Sequence, residues 1–257
     1  MILHFLALDT VFAVVLWAIL GGLTFGVFLE AGPLLWTGSA VWLVYCADRW
    51  FDSLPQSRET HLGGRHHFMV RNRVGVATCW VLVWLVSLGS ALVYLPARAL
   101  LVGGVFTVIA LVYLILTQTP SKRAVDSLPP ALMSLIVGTV VASASLLFPF
   151  LLSGATISET APVWSLFVGA FWVQAFVTRL WESPGKNSIV FPVTVGLLLS
   201  AIALYWNMNA VALGLLSLFL ALAIFNKAGP NEKVCWADWI LGGSAGFGIL
   251  AHFILHN

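Results

Sequence analysis

The chain contains very few charged residues for its length. Of its 257 residues only 9% are Asp, Glu, Lys or Arg, whereas an ordinary soluble domain has about 25%. So few charged side chains cannot cover the surface of a water-soluble protein of this size, and that class is excluded. The net charge of +2 is also too small to indicate a nucleic-acid partner.

Cysteine is scarce as well. Cys46, Cys79 and Cys235 are scattered along the chain and form no CxxC pair. They therefore indicate no disulfide framework, and we interpret them as small apolar residues that pack between helices.

Apolar residues make up 60% of the chain and occur in long runs. A helix needs about 20 such residues to cross the hydrocarbon core of a membrane. Nine segments meet this requirement, and the sequence predicts an all-α bundle of nine transmembrane helices in a single domain, residues 1–257. The predicted spans are 9–29, 33–50, 74–95, 97–117, 128–150, 162–182, 188–206, 209–226 and 236–255.

Basic residues are distributed unevenly between the two sides of this bundle. If the N-terminus is cytoplasmic, all Lys and Arg except Arg98 lie in or beside cytoplasmic loops. Such an excess is the positive-inside signal, so we predict an N-terminus in the cytoplasm and a C-terminus on the opposite side. The cytoplasmic set is Arg49, Arg58, Arg65, Arg71, Arg73, Lys122, Arg123, Arg179, Lys186, Lys227 and Lys233.

Acidic residues also collect at the predicted cytoplasmic ends of the spans. Ionisable residues in membrane helices tend to face a bundle interior or a water-filled cavity. The sequence therefore predicts one polar cavity at the cytoplasmic face, where any chemistry is expected. The residues concerned are Asp48, Asp52, Glu59, Asp126, Glu182, Glu232 and Asp238.

The segment 44–52, VYCADRWFD, contains the most informative polar pattern. Asp48 and Asp52 are four residues apart and share one helix face. Two carboxylates on one face can bind Mg²⁺ together with the phosphate oxygens of a substrate, and Arg49 can contact the same anion. From the spacing alone, a solvated helix end with an ordinary salt bridge is an equal alternative.

Two further segments have related polar patterns. Lys122 and Arg123 precede the Leu-Pro-Pro sequence that opens the fifth span, and they can either anchor the topology or bind a pyrophosphate. In the segment 178–182, TRLWE, Thr178 and Glu182 repeat the four-residue spacing, with Arg179 between them. This repetition at the ends of spans 2 and 6 indicates two related halves around one cavity.

The segment 47–52, ADRWFD, resembles the ADRxFD end of the first aspartate-rich motif of the UbiA superfamily of intramembrane prenyltransferases. Lys122-Arg123 before a Leu-Pro pair is similar to that family's KR stretch at the start of helix 5. The segment 178–182 lies where the family has its second aspartate-rich motif. The span count and orientation also match.

The resemblance implies transfer of an isoprenyl group from its diphosphate to an aromatic, tetrapyrrole or lipid acceptor. It implies that Asp48, Asp52 and Glu182 bind Mg²⁺. It also implies a catalytic set, which consists of Asp48, Asp52, Lys122 and Arg123. It further implies a substrate-binding set. That set is Arg49, Tyr45, Tyr113, Arg179 and Asn187.

The sequence departs from the family pattern at four motif positions. Val44 and Tyr45 replace the expected Asn and Asp of the first motif, and Thr178 and Glu182 replace the two Asp of the second. The alternative is therefore a UbiA-like membrane protein without catalysis that binds a lipid, quinone or pigment, or serves as a subunit of a membrane complex. A transporter is a third possibility, although few charged residues lie mid-span. Membrane lipids are expected partners in every case.

Overall fold

A computed structural model describes residues 7–52, 68, 71–118, 129–182, 190–225 and 230–256. Within these residues the chain forms nine α-helices and no β-strand. The helices are α1 (Leu8–Thr24), α2 (Ala31–Asp52), α3 (Arg73–Tyr94), α4 (Ala97–Gln118), α5 (Pro130–Ser153), α6 (Ile157–Glu182), α7 (Val190–Tyr205), α8 (Asn209–Phe225) and α9 (Pro230–His256).

The described helices confirm the all-α prediction and the membrane character of the chain. Five of them, α3, α4, α5, α6 and α9, are long and apolar enough to cross a membrane. Shorter apolar helices occupy Leu8–Thr24, Val193–Tyr205 and Asn209–Ile224. Each of the nine overlaps one predicted span. The boundaries differ most at the end of α1, at the start of α6 and at the start of α9, which begins at Pro230, six residues before the predicted start at 236.

α1 ends at Thr24, whereas the sequence predicts a span that continues to residue 29. Gly26 has a φ of +68°, a left-handed conformation that glycine adopts without the steric cost a Cβ imposes. The N–H of Val27 donates to the carbonyl of Gly22 at 2.8 Å, and the N–H of Gly26 donates to that of Leu23 at 3.1 Å. These two bonds form a Schellman motif, which closes the helix.

α6 begins at Ile157, five residues before the predicted start of the span. Thr156 and Glu159 form a capping box ahead of the apolar run. The Thr156 N–H donates to Glu159 Oε2 at 2.8 Å, and the Glu159 N–H donates to Thr156 Oγ1 at 3.4 Å. The sequence predicts a start at Pro162, and the capping box moves the start about one and a half turns earlier.

The described chain forms two compact units. The first unit comprises Met1–Val11 and Leu35–Leu128, and the second comprises Phe12–Leu34 and Pro129–Asn257. The second unit therefore contains most of α1 together with α5 to α9. Within it α5 packs on α6, α6 on α7, α7 on α8, α8 on α9, and α9 returns to α6.

The α1 segment is the centre of the second unit. Trp17 is fully buried, and its indole N–H donates to the carbonyl of Leu241 on α9 at 3.0 Å. The same indole packs edge-on against Phe167 of α6, with ring centroids 4.8 Å apart. Leu20, also fully buried, lies beside Gly214 of α8 and Gly248 of α9. α1 thus contacts α6, α8 and α9 through two large, fully buried side chains.

Glycines allow helix backbones in the second unit to approach closely. A Cβ on Gly138 of α5 would lie 2.6 Å from the backbone nitrogen of Trp172 on α6. A Cβ on Gly248 of α9 would lie 2.8 Å from the carbonyl oxygen of Ala210 on α8. Small residues at helix interfaces are typical of membrane bundles, because packing rather than water exclusion holds the helices together there.

In the first unit α2 and α3 form an antiparallel hairpin with tryptophans along its seam. The Trp36 indole N–H donates to Ser90 Oγ at 3.0 Å, and the Trp80 indole N–H donates to the Leu43 carbonyl at 2.8 Å. The seam also buries Cys46, which shares a small apolar cluster with Val76.

The outer surface of the first unit is apolar and exposed. Only 6% of the apolar stretch of α3 and 17% of that of α4 is buried, against 56% for α6. In water so much exposed apolar surface would be strongly unfavourable, whereas in a bilayer lipid covers it. The exposure supports the assignment of the chain to a membrane.

We expect Gly138→Ala to destabilise the bundle by about 1–3 kcal/mol, because the added methyl group meets the backbone of α6 rather than a movable side chain. Thermal unfolding of the purified protein in detergent measures the effect. Gly104→Ala is the matched control, since a Cβ there meets nothing within 4 Å. Equal midpoints for the two variants would contradict the close approach of α5 and α6.

Candidate functional site

The polar end of α2 contains the first predicted motif. α2 continues without interruption to Asp52, so Asp48 and Asp52 lie one turn apart on one face, separated by about 6 Å along the axis. Asp48 is half-buried, while the side chain of Asp52 lies outside the described part of the structure. The helical geometry that the motif requires is therefore present in the backbone.

Arg49 is the most buried of the described charged residues at this end, with only 9% of its surface exposed. Withdrawing a guanidinium from solvent is costly unless anionic or hydrogen-bonding groups surround it. Arginine also presents planar pairs of N–H donors that match phosphate oxygens. A buried arginine next to Asp48 in the sequence is a suitable element of an anion site.

The two tyrosines assigned to substrate binding both belong to the first unit. Tyr45 is half-buried and precedes Asp48 by three residues, so the two share a face of α2. Tyr113 is half-buried on α4.

A second polar group of residues lies in the second unit, between α6 and α9. The side-chain amide of Gln174 donates to Asp238 Oδ1 at 3.1 Å. Gln174 is 9% exposed and Asp238 is half-buried. The sequence predicts Asp238 at a cavity wall, and the structure adds Gln174 as its hydrogen-bond partner. The sequence feature that could indicate this pair is the presence of an amide and a carboxylate inside otherwise apolar helices.

The predicted second motif ends α6. Thr178 and Arg179 are half-buried, and the Thr178 hydroxyl donates to the Gln174 carbonyl of its own helix at 2.9 Å. α6 extends to Glu182, one turn beyond Thr178, and the Glu182 side chain lies outside the described part. The four-residue spacing of this motif is therefore helical, as at the end of α2.

Ser134 of α5 is a polar residue that sequence analysis did not select. It is 1% exposed, and its Oγ has no hydrogen-bond partner among the described residues. It lies on the face of α5 that meets α6, between Ala131, whose carbonyl accepts the Trp172 indole N–H at 2.9 Å, and Gly138. A buried hydroxyl of this kind is available to a polar atom of a ligand or to a water molecule.

Three predicted site residues, Lys122, Arg123 and Asn187, lie outside the described residues. The Pro-Pro sequence that follows the basic pair does begin a helix, with Pro129 as N-cap and Pro130 in the first turn. Among the described side chains, which do not include those of Asp52 and Glu182, no group of three His, Cys, Asp or Glu could hold a metal.

Comparison of the chain with protein-family models, with curated proteins and with solved structures finds no match.

We expect Gln174→Leu to destabilise the protein by about 1–3 kcal/mol, because it removes the amide that donates to Asp238 in a largely apolar environment. Thermal unfolding in detergent measures the loss. Thr178→Val is the matched control one turn away, since it removes only a bond within α6. A control that loses as much stability as Gln174→Leu would contradict a specific role for the α6–α9 bond.

Proposed function

We propose that the chain is an intramembrane prenyltransferase of the UbiA type, with nine spans and a cytoplasmic N-terminus. The single observation that carries the proposal is the helical continuation of α2 through the segment 47–52. It aligns Asp48 and Asp52 on one face and buries Arg49 beside them. Carboxylates one turn apart and a nearby arginine are residue types that support the binding of a metal diphosphate.

The donor set fits Mg²⁺. This ion prefers oxygen ligands and commonly binds one or two carboxylates together with substrate phosphate oxygens. The proposal assigns Asp48 and Asp52 as ligands, with Glu182 as a third carboxylate. The bound ion would neutralise negative charge on the departing pyrophosphate.

The basic residues have a complementary role. Arg49 donates N–H groups to the diphosphate, and the proposal adds Lys122, Arg123 and Arg179 to the same task. The bond between C1 of the isoprenyl group and the diphosphate oxygen breaks, and its electron pair leaves with the pyrophosphate. A nucleophilic atom of the hydrophobic acceptor then bonds to C1, and the acceptor loses a proton. Tyr45, Tyr113 and Asn187 are proposed to bind the substrates.

We expect Asp48→Asn to reduce Mg²⁺-dependent binding of a radiolabelled isoprenyl diphosphate by more than tenfold. The substitution removes a negative ligand while it keeps the size of the side chain. Binding is measured on the full chain in detergent, with and without EDTA, over a series of prenyl lengths. Asp9→Asn, a buried aspartate at the first turn of α1, is the control and should bind as the parent does.

The same measurement on Arg49→Lys and Arg49→Gln distinguishes the contribution of the positive charge of Arg49 from that of its paired N–H donors. Lysine keeps the charge but lacks the paired donors, so partial binding by Arg49→Lys and none by Arg49→Gln supports a phosphate contact. Unchanged binding in Asp48→Asn and in both Arg49 variants would show that α2 does not hold the diphosphate.

A second candidate is a UbiA-like protein without turnover. It is favoured by Tyr45 and Thr178, which stand where the family has aspartates, and by the engagement of the Thr178 hydroxyl with its own helix. Such a protein would hold a lipid, quinone or pigment, or would join a larger membrane complex. Stoichiometric co-purification with other subunits, combined with no Mg²⁺-dependent binding at any prenyl length, would establish this candidate in place of the first.

A further inference from the structure

A groove lies on the α2–α3 hairpin of the first unit, and no step of the proposed prenyl transfer uses it. The groove has a volume of about 590 Å³, and a smaller apolar cavity of about 220 Å³ adjoins it. The two share Trp50, Ala77 and Val81 as lining residues. The larger volume falls within the range of about 300–1,000 Å³ that is typical of small-molecule sites.

The groove is apolar along its length and cationic at one end. Its α3 wall is a helical stripe formed by Val74, Ala77, Thr78, Val81 and Leu82, and Arg73 closes the end. The described residues that line the smaller cavity are all apolar or aromatic. No acidic residue is among the described residues that line either space, so the arrangement complements a molecule with an apolar chain and a negative head.

Arg73 is held in position at the end of the groove. Its guanidinium lies 5.1 Å from the centroid of the Trp50 ring, which is a cation–π distance. The guanidinium of an arginine in such a contact has five N–H donors, which can bind phosphate oxygens. It also occupies the first position of α3, and the Asn72 side chain makes no capping bond to that helix. The positive end of the helix dipole therefore adds to the attraction for an anion.

The dimensions match one leaflet of a bilayer. From Arg73 to Leu82 the groove follows α3 for about 13 Å, at a rise of 1.5 Å per residue. Half of the hydrocarbon core is about 15 Å. Arg73 also belongs to the basic side of the chain, which is predicted to be cytoplasmic, and the cytoplasmic leaflet has a negative surface potential from its anionic lipids.

We propose that this groove binds an anionic phospholipid, with the phosphate on Arg73 and one acyl chain along α3. The proposal does not rest on prenyl transfer. A second copy of the chain would use the apolar wall but would not account for the cation at its end. The diphosphate substrate would require carboxylates for its metal, and the groove has none among its described lining residues.

Native mass spectrometry of the full chain in detergent tests the proposal with equimolar phosphatidylglycerol and phosphatidylcholine. The parent is expected to retain phosphatidylglycerol preferentially. Arg73→Gln should lower that retention about fivefold, the effect of one arginine at an anionic membrane surface, and should lower the retention of phosphatidylcholine less, because its phosphate is already paired with its own choline cation. Arg98→Gln is the charge-matched control at the start of α4 and should behave as the parent.

Two variants that fill the groove test its apolar wall. Ala77→Phe and, should that variant not fold, Thr78→Phe are expected to lower the retention of both lipids. Gly89→Phe, on α3 where a Cβ meets nothing within 4 Å, is the matched control and should have no effect.

Several outcomes would overturn the proposal. Equal retention of the two lipids by the parent, or equal losses in Arg73→Gln and Arg98→Gln, would remove the role of Arg73. Displacement of phosphatidylglycerol by farnesyl diphosphate would make the groove a substrate site instead. A dimer that both groove-filling variants dissociate would make it a contact between copies.

Discussion

The close approach of helix backbones at small residues is the constraint on which the second unit depends. In a membrane, water cannot drive apolar helices together, so their association relies on close packing. Gly138 and Gly248 leave room for the backbones of α6 and α8, and Trp17 fills the centre with an indole that also donates to α9. These contacts hold α6 and α9 at the distance at which Gln174 reaches Asp238.

Charged residues are rare in this chain, and a buried polar group in an apolar membrane bundle has a larger free-energy cost than it would have in a soluble protein. Taking a charged group from water into an apolar region costs several kcal/mol unless partners surround it. Even so, the chain buries Arg49 beside Asp48 in the first unit and places Gln174 against Asp238 in the second. The Gln174–Asp238 pair joins α6 to α9 by a hydrogen bond between side chains.

Much of the fold could be predicted from the sequence, since apolar runs longer than the hydrocarbon thickness specify membrane helices directly. All nine described helices coincide with predicted spans. The boundaries were less accurate where local hydrogen bonds end or begin a helix, as with the Schellman motif at Gly26 and the capping box at Thr156. Composition alone does not reveal which end of an apolar run such a motif occupies.

Less of the candidate site could be predicted. The four-residue spacing placed Asp48 and Asp52 on one face, and the uninterrupted α2 agrees with that prediction. The Gln174–Asp238 bond, the buried Ser134 hydroxyl and the groove at Arg73 depend on which residues of different helices meet, and periodicity within one helix does not determine this. The metal and diphosphate roles stay predictions, since they concern ligands.

The most direct test of the central claim is electron–nuclear double resonance on the full chain with Mn²⁺ in place of Mg²⁺ and a non-hydrolysable isoprenyl diphosphate analogue. If Asp48 and Asp52 hold a metal diphosphate, the bound Mn²⁺ should show coupling to ³¹P that disappears in Asp48→Asn and persists in Asp9→Asn. Bound Mn²⁺ without ³¹P coupling in the parent protein, or the same coupling in Asp48→Asn, would contradict the account.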